Sequence, residues 1–304
     1  MILSHRTDPA GARSARAPRP VKAGHLFVAG YVILLAAFGV VPTVYGIYFA
    51  FTNSANYFAG FSNFVGAYRD FRYLPAVWHV ALYLVVWLTF LVVFVTLLSV
   101  LLQQLPIRRI ARMARFLYYI PGALAGAAGV LVWLFMLDPT VSPAATFLRY
   151  LGYPTFTQVV ALPGHLSILL PMIAFWTGAG GWIVVMGGAL NTIPNELIEA
   201  ARIDGAGGWS IARRIQIPMI RKWIVYMIIL AFAGGTQLFI EPQLISSASL
   251  GVVGRDYSLA QLSYDFAFEN NNVNYASAIS VELLVVCLAV AAVFVTRSRF
   301  FDAS

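Results

Sequence analysis

The sequence predicts an all-α, polytopic membrane protein, and three observations predict it. The 304 residues are 60% hydrophobic and only 11% charged, with a mean hydropathy of +0.79. Soluble domains average about 45–50% apolar and about 25% charged residues. Six apolar stretches reach the length of about 20 residues that a helix needs to cross the hydrocarbon core. Sixteen of the 20 Lys and Arg residues lie on one side of the topology those stretches define. A soluble enzyme, a disordered tail and a disulfide-built secreted module are thereby excluded. The single cysteine, Cys287, permits neither an internal disulfide nor a cysteine cage for a metal.

The stretches cover about residues 26–51, 76–102, 116–137, 162–190, 223–245 and 275–296. Helices are required because unpaired backbone groups are too costly in lipid, and the short alternating segments of a β-barrel are missing. The first stretch exceeds a signal-peptide core and no small-residue cleavage site follows it, so it reads as a retained span. Before it, residues 1–24 form an arm rich in Arg, Pro and Ala, expected to be disordered and held near the inner leaflet by charge. The remainder, 25–304, reads as one transmembrane domain.

Orientation follows from charge. Arg6, Arg13, Arg16, Arg19 and Lys22 precede span one, and Arg108, Arg109, Arg112 and Arg115 separate spans two and three. Arg202, Arg213, Arg214, Arg221 and Lys222 separate spans four and five, and Arg297 and Arg299 follow span six. Only Arg69, Arg72, Arg149 and Arg255 lie on the other side. The positive-inside rule therefore predicts cytoplasmic termini and a cell-membrane location. The net charge of +8 is spread over short juxtamembrane segments rather than gathered as a nucleic-acid surface, so no nucleic-acid partner is expected.

One cytoplasmic loop, residues 191–222, is more than a connector. In Asn191-Thr192-Ile193-Pro194-Asn195-Glu196-Leu197-Ile198-Glu199-Ala200-Ala201-Arg202-Ile203-Asp204-Gly205-Ala206, Pro194 suits a first helical turn. Glu196 and Glu199 favour the positive end of the helix dipole, and Gly205 can take the left-handed conformation that ends a helix. A helix of about ten residues is predicted, with Leu197, Ile198 and Ala201 on one face and small residues at Ala200 and Ala201 for close approach. A second helix, about 209–216, is predicted to break before Pro218. An amphipathic helix lying on headgroups is the competing reading. Its apolar side is small, however, and its acids suit an anionic leaflet poorly, so a protein groove fits better.

Glu199-Ala200-Ala201, then Gly205 after three residues, then Ile215-Gln216-Ile217-Pro218 after nine, resembles the EAA signature of binding-protein-dependent ABC importer permeases. Ile217 stands where leucine is usual. Trp176-Thr177-Gly178, residues 189–197, Ile203-Asp204-Gly205-Ala206 and residues 275–280 resemble the sugar-permease branch. Phe58-Ala59-Gly60-Phe61-Ser62-Asn63-Phe64 is similar to the first outer loop of the first permease in maltose and glycerol-phosphate systems. The resemblance implies the type I importer fold and an ATPase-coupling role for Glu199, Ala200, Ala201, Asp204, Gly205, Ile215 and Pro218. It also implies a second homologous permease, two copies of a cytoplasmic ATPase and an extracytoplasmic solute-binding protein. ATP and magnesium would belong to the ATPase: this chain has no Walker sequence and is expected to bind no cofactor.

Within the spans, ionisable residues default to functional candidates. Glu241 and Glu282 qualify, and Gln237 is predicted to share a helical face with Glu241, with Thr236 alongside. With the aromatics Trp176, Phe239 and Tyr275 they suit a neutral polyhydroxylated solute, because carboxylates and amides bind hydroxyls while rings cover sugar C–H faces. An anionic solute is disfavoured, since no Lys or Arg lies inside a predicted span, although a helix-end phosphate site stays open. The plainer alternatives are an interfacial Glu241 and a Glu282 paired with a polar group on a neighbouring helix. Pro42, Pro121, Pro163 and Pro171, with the glycines Gly178, Gly180, Gly181, Gly187 and Gly188, imply kinked and closely packed helices, with hinge roles expected in the glycine-rich stretch of span four. His5, His25, His79 and His165 form no ligand pair, so no metal site is expected. No G-x-S-x-G elbow supports a hydrolase, and no clear internal repeat favours a stand-alone transporter or channel.

Overall fold

The computed structural model describes residues 21–297 except 125 and 163, and the surroundings of side chains from residue 28 onward. The chain divides into a unit ending at Tyr45 and a unit beginning at Gly46. Residues 1–20 of the expected arm lie outside the described residues. Helix is already present from Val21, inside the predicted arm.

Among the described residues five helical runs are long and apolar enough to cross a bilayer: Val28–Ala50, Tyr73–Gln104, His165–Leu190, Arg221–Ala248 and Val273–Arg297. The helices Arg108–Ala123 and Ala127–Leu137 make a sixth if read as one bent span. These correspond in order to the six predicted stretches. Among the described residues no strand forms; an isolated bridge joins Thr52 and Phe58.

Two predicted continuities and one predicted break fail. The third stretch is interrupted between Ala123 and Ala127, where Gly126 takes φ +72°. Its first helix also starts earlier than predicted, at Arg108, so the four arginines sit on a helix rather than in a loop. Span five breaks at Gln237–Phe239, where Gln237 ends one helix and Phe239 precedes the next, Ile240–Ala248. Gln237 and Glu241 therefore do not share one helical face. Finally, the second loop helix is not broken before Pro218. It runs helically from Gly208 to Met219, widening to i→i+5 turns over Ala212–Gln216. A widened turn makes room for the proline ring and its missing donor, and the chain turns only at Ile220.

Spans two, four and five form the core. Tyr83, Leu84, Trp87 and Leu91 meet Leu170, Ile173, Ile183 and Met186, with Met227, Ala231 and Ile245 completing the cluster. Between helices in lipid, close packing rather than exclusion of water holds such contacts. Gly235 serves that packing, because a Cβ there would run into the Leu84 and Trp87 side chains.

On the predicted outer side, loops distant in sequence are tied together. Arg72 pairs with Asp70 at 3.0 Å and with Asp265 at 2.6 Å, and lies over the Phe266 ring. By hydrogen bonding, its guanidinium holds the Asp70 carboxyl below the ordinary carboxylate range. Asn63 and Asn274 donate to main-chain carbonyls of residues 49–52. The outer loops thus form a braced cap over unit two.

Candidate coupling loop and membrane path

The loop after span four is anchored to the bundle at its ends and also, through Ile198, Ile211 and Ala212, along its middle. Ile193 is buried in the core cluster, and Ile198, Ile217 and Ile220 pack into or against it. Between them stands the helix Asn195–Ile203, with Pro194 just outside its first turn rather than within it. Glu196 occupies that first turn, as the dipole favours.

Its C-terminus is closed by two crossed bonds. The Ala206 amide donates to the Ala201 carbonyl at 2.9 Å, and the Gly205 amide donates to the Arg202 carbonyl at 3.0 Å. Gly205 has φ +81°. This is the Schellman arrangement, which requires a left-handed residue at that one place.

The helix has two distinct faces. Asn195, Ile198, Glu199 and Arg202 line a polar cavity of about 750 Å³ shared with the ends of spans two and four and the start of the Arg108 helix. Leu197, Ala200, Ile203 and Asp204 are exposed, Ile203 to 87%. The predicted apolar face of Leu197, Ile198 and Ala201 is therefore corrected. Ile198 turns inward and Ala201 is half-buried, whereas Leu197 points out with Ala200 and Ile203. Ile215 is half-buried and Pro218 exposed in the second helix.

A polar network that sequence reasoning missed fastens this loop. Arg115 donates to Gln103 at 3.0 Å, and Gln103 donates to Asn191 at 3.0 Å. Gln104 donates to the Gly208 carbonyl at 3.0 Å and, at 3.4 Å, to the buried Gln216. The adjacent glutamines ending an apolar span were the available signal, since amides at that depth need partners.

The predicted path residues scatter. Trp176 packs edge-on to Trp133 at 5.8 Å. Tyr275 packs on Phe266 at 5.6 Å and fills the space that a side chain at Gly66 would need. Tyr73 donates to Glu282 at 2.5 Å. Gln237 is exposed at the break of span five, and Glu241 is half-buried in the first turn after it. Among the described residues no cation pairs with Glu241. Thr236 bonds back to the Ala233 carbonyl and meets Cys287 at 3.0 Å.

Residues 110–299 match the profile of the binding-protein-dependent transport system inner membrane component. The chain belongs to that family. As a member of it, this permease is a multi-pass transport subunit of an ABC importer, not an enzyme. It is 27% identical to the diacetylchitobiose uptake system permease protein NgcF of Streptomyces coelicolor, over 97% of this chain and 89% of that one. It is also 27% identical to the sn-glycerol-3-phosphate transport system permease protein UgpA of Escherichia coli, over 88% and 91% respectively. Its fold matches a chain of the bacterial alginate ABC transporter, solved in complex with an alginate pentasaccharide-bound periplasmic protein. The TM-score is 0.78 at 17% identity, covering 93% of this permease and 96% of that chain. The matched family region contains the coupling loop and all of spans four to six, and the family is that of ABC importers rather than of the competing stand-alone transporter or channel.

Proposed function

We propose that this permease is one of two homologous membrane subunits of an importer that carries a sugar, oligosaccharide or polyol into the cytoplasm. Both termini face the cytoplasm, an extracytoplasmic binding protein delivers the solute, and two copies of a separate ATPase supply the work. One observation carries the reading: a short, sharply capped helix, anchored by the buried Ile193 before it and by Ile198 within it, presents Leu197, Ala200 and Ile203 outward. An exposed isoleucine flanked by Glu196 and Asp204 suits a groove in a partner protein. Ala201 is half-buried, whereas Glu199 lines the cavity and is still exposed, so it stays available to that groove.

For the solute, Glu241 and Gln237 at the unwound point of span five, with Trp176, offer hydroxyl-binding groups and an aromatic face. Broken helices are where transporters place such sites. The arginines of the helical runs cluster toward their predicted cytoplasmic ends, which favours a neutral carbohydrate over a phosphate ester. Glu282 and Tyr275 belong instead to the outer cap, held by Tyr73 and by the first outer loop.

The test is co-expression with the ATPase encoded nearby, followed by purification and uptake over a panel of labelled sugars, polyols and glycerol phosphodiesters. Leu197→Asp with Ile203→Asp is expected to lose the ATPase while the chain stays in the membrane. Retention of the ATPase by that variant would overturn the docking face. For the cap, Tyr73→Phe is expected to lower the stability of the assembled complex by about 0.6–1.7 kcal/mol, the range of intramembrane hydrogen bonds. Solute KM should not change. A tenfold KM shift without a change in Tm would place Glu282 on the path.

A further inference from the structure

We propose that the polar cavity behind the coupling helix binds a phosphate-bearing anion. Arg108, Arg112 and Arg115 lie at i, i+4 and i+7, one stripe of their helix, and all three line the cavity. Arg109, on another face, does not. Arg202 enters from the coupling helix opposite, and Glu199 is the sole carboxylate in the lining.

Four guanidiniums against one carboxylate leave a surplus of positive charge inside a recess. Among the described residues the ion pairs all lie in the outer loops, so none of these arginines is neutralised by one. Arg115 spends its Nη2 on Gln103, while its Nε is buried without a partner. Basic side chains that merely obeyed the positive-inside rule would reach outward to headgroups. Arg108, Arg112 and Arg202 are exposed, yet together with the half-buried Arg115 they line one space of about 750 Å³, large enough for a phosphate with its attached group. Guanidiniums bind phosphate oxygens in bidentate pairs, which makes this donor set selective for phosphate over a simple halide.

The cavity sits where the Arg108 helix passes from its basic end to exposed Phe116, Leu117 and Ile120, so it lies at the predicted inner boundary of the bilayer. Both an anionic phospholipid headgroup and a soluble phosphate can reach such a place. Either occupant would bridge the coupling helix, through Arg202, to the helix of the third span. Its presence would therefore stiffen the link that the ATPase is proposed to push.

The experiment uses the assembled transporter in nanodiscs, with two probes. Retention of phosphatidylglycerol is measured by native mass spectrometry in discs of mixed phosphatidylglycerol and phosphatidylcholine. Binding of inorganic phosphate and pyrophosphate is measured by titration in discs of phosphatidylcholine alone. With at least one probe, Arg108→Gln with Arg112→Gln should weaken binding about fivefold for each arginine removed, the usual effect of one basic residue at an anionic surface. Arg109→Gln should change it less than twofold. Glu199→Gln should strengthen binding, a gain that misfolding cannot produce. A response in the lipid arm alone assigns the site to a membrane lipid, and in the soluble arm alone to a cytosolic phosphate. The proposal is overturned if neither probe binds above background, or if Arg109→Gln weakens binding as much as the cavity arginines do. These outcomes do not depend on which solute is carried or on whether the ATPase grips Ile203.

Discussion

Gly205→Pro is expected to reduce solute uptake by more than a hundredfold while the chain still inserts and carries its partner permease. Proline fixes φ near −65° and has no amide hydrogen. Gly205 needs φ +81° and uses its amide to bond the Arg202 carbonyl. Both requirements fail together, and the conflict costs about 3 kcal/mol or more. That exceeds what a nine-residue surface helix can absorb, since isolated helices of that length are marginal. The helix end would fray, Ala206 would lose its bond to Ala201, and the connection into Gly208–Met219 would be re-aimed.

The expected signature is uncoupling rather than collapse. Basal ATP hydrolysis persists, but loaded binding protein no longer stimulates it, because force applied at Ile203 is no longer delivered through a stiff rod. Gly205→Asn is the matched control, since asparagine tolerates the left-handed region. It should keep most uptake. Normal transport by Gly205→Pro would show that the capped geometry is dispensable and would remove the mechanical argument for this loop.

The coupling helix was legible in sequence because every signal in it is local: a proline before it, acids in its first turn, a glycine after it. The faces were not legible. Which of Leu197 and Ile198 turns inward depends on where Ile193 and Ile217 anchor the loop, and that is settled by packing against spans two and four. Span existence was equally plain from hydropathy, yet the break at Gln237–Phe239 was not. Pro242, in the first turn of the helix after the break, was a local signal for a helix start there, but an apolar run reads the same whether or not its axis bends. Gly234-Gly235-Thr236 was a further hint, explained afterwards by Gly235 against Trp87 and Thr236 against Ala233. The outer cap had no sequence signal at all. Arg72 and Asp265 are 193 residues apart, and Tyr73 and Glu282 are 209 apart. For Glu282 the sequence leaves a solute contact and a pairing with a polar group of a neighbouring helix both open, and the partner, Tyr73, becomes visible only in three dimensions.

The expectation of hinges in the glycine-rich part of span four leads to the second large effect. His165–Leu190 is one continuous helix, and its glycines divide into two kinds. Gly178, Gly181 and Gly188 face open space, whereas a Cβ at Gly180 would sit 2.0 Å from the Tyr118 carbonyl oxygen and 2.7 Å from the Tyr119 Cα. These are backbone atoms, which cannot swing aside as a flexible side chain can. Two turns on, Gly187 receives the Arg115 guanidinium, and from the opposing helix Gly122 faces the Thr177 carbonyl. Small residues on both partners thus let the Arg108–Ala123 helix lie directly on span four. Gly180→Ala must push the two helices apart, at the roughly 1–3 kcal/mol typical of overpacking, and Gly180→Val should prevent assembly of a transporting complex. Gly181→Ala, one residue away but in open space, removes the helix-interior glycine penalty of about 0.5–1 kcal/mol and should be neutral or stabilising. Thermal unfolding and uptake of the three variants side by side decide the point. A hinge would make Gly181→Ala at least as damaging as Gly180→Ala, whereas close packing makes the harm specific to the face that meets Tyr118.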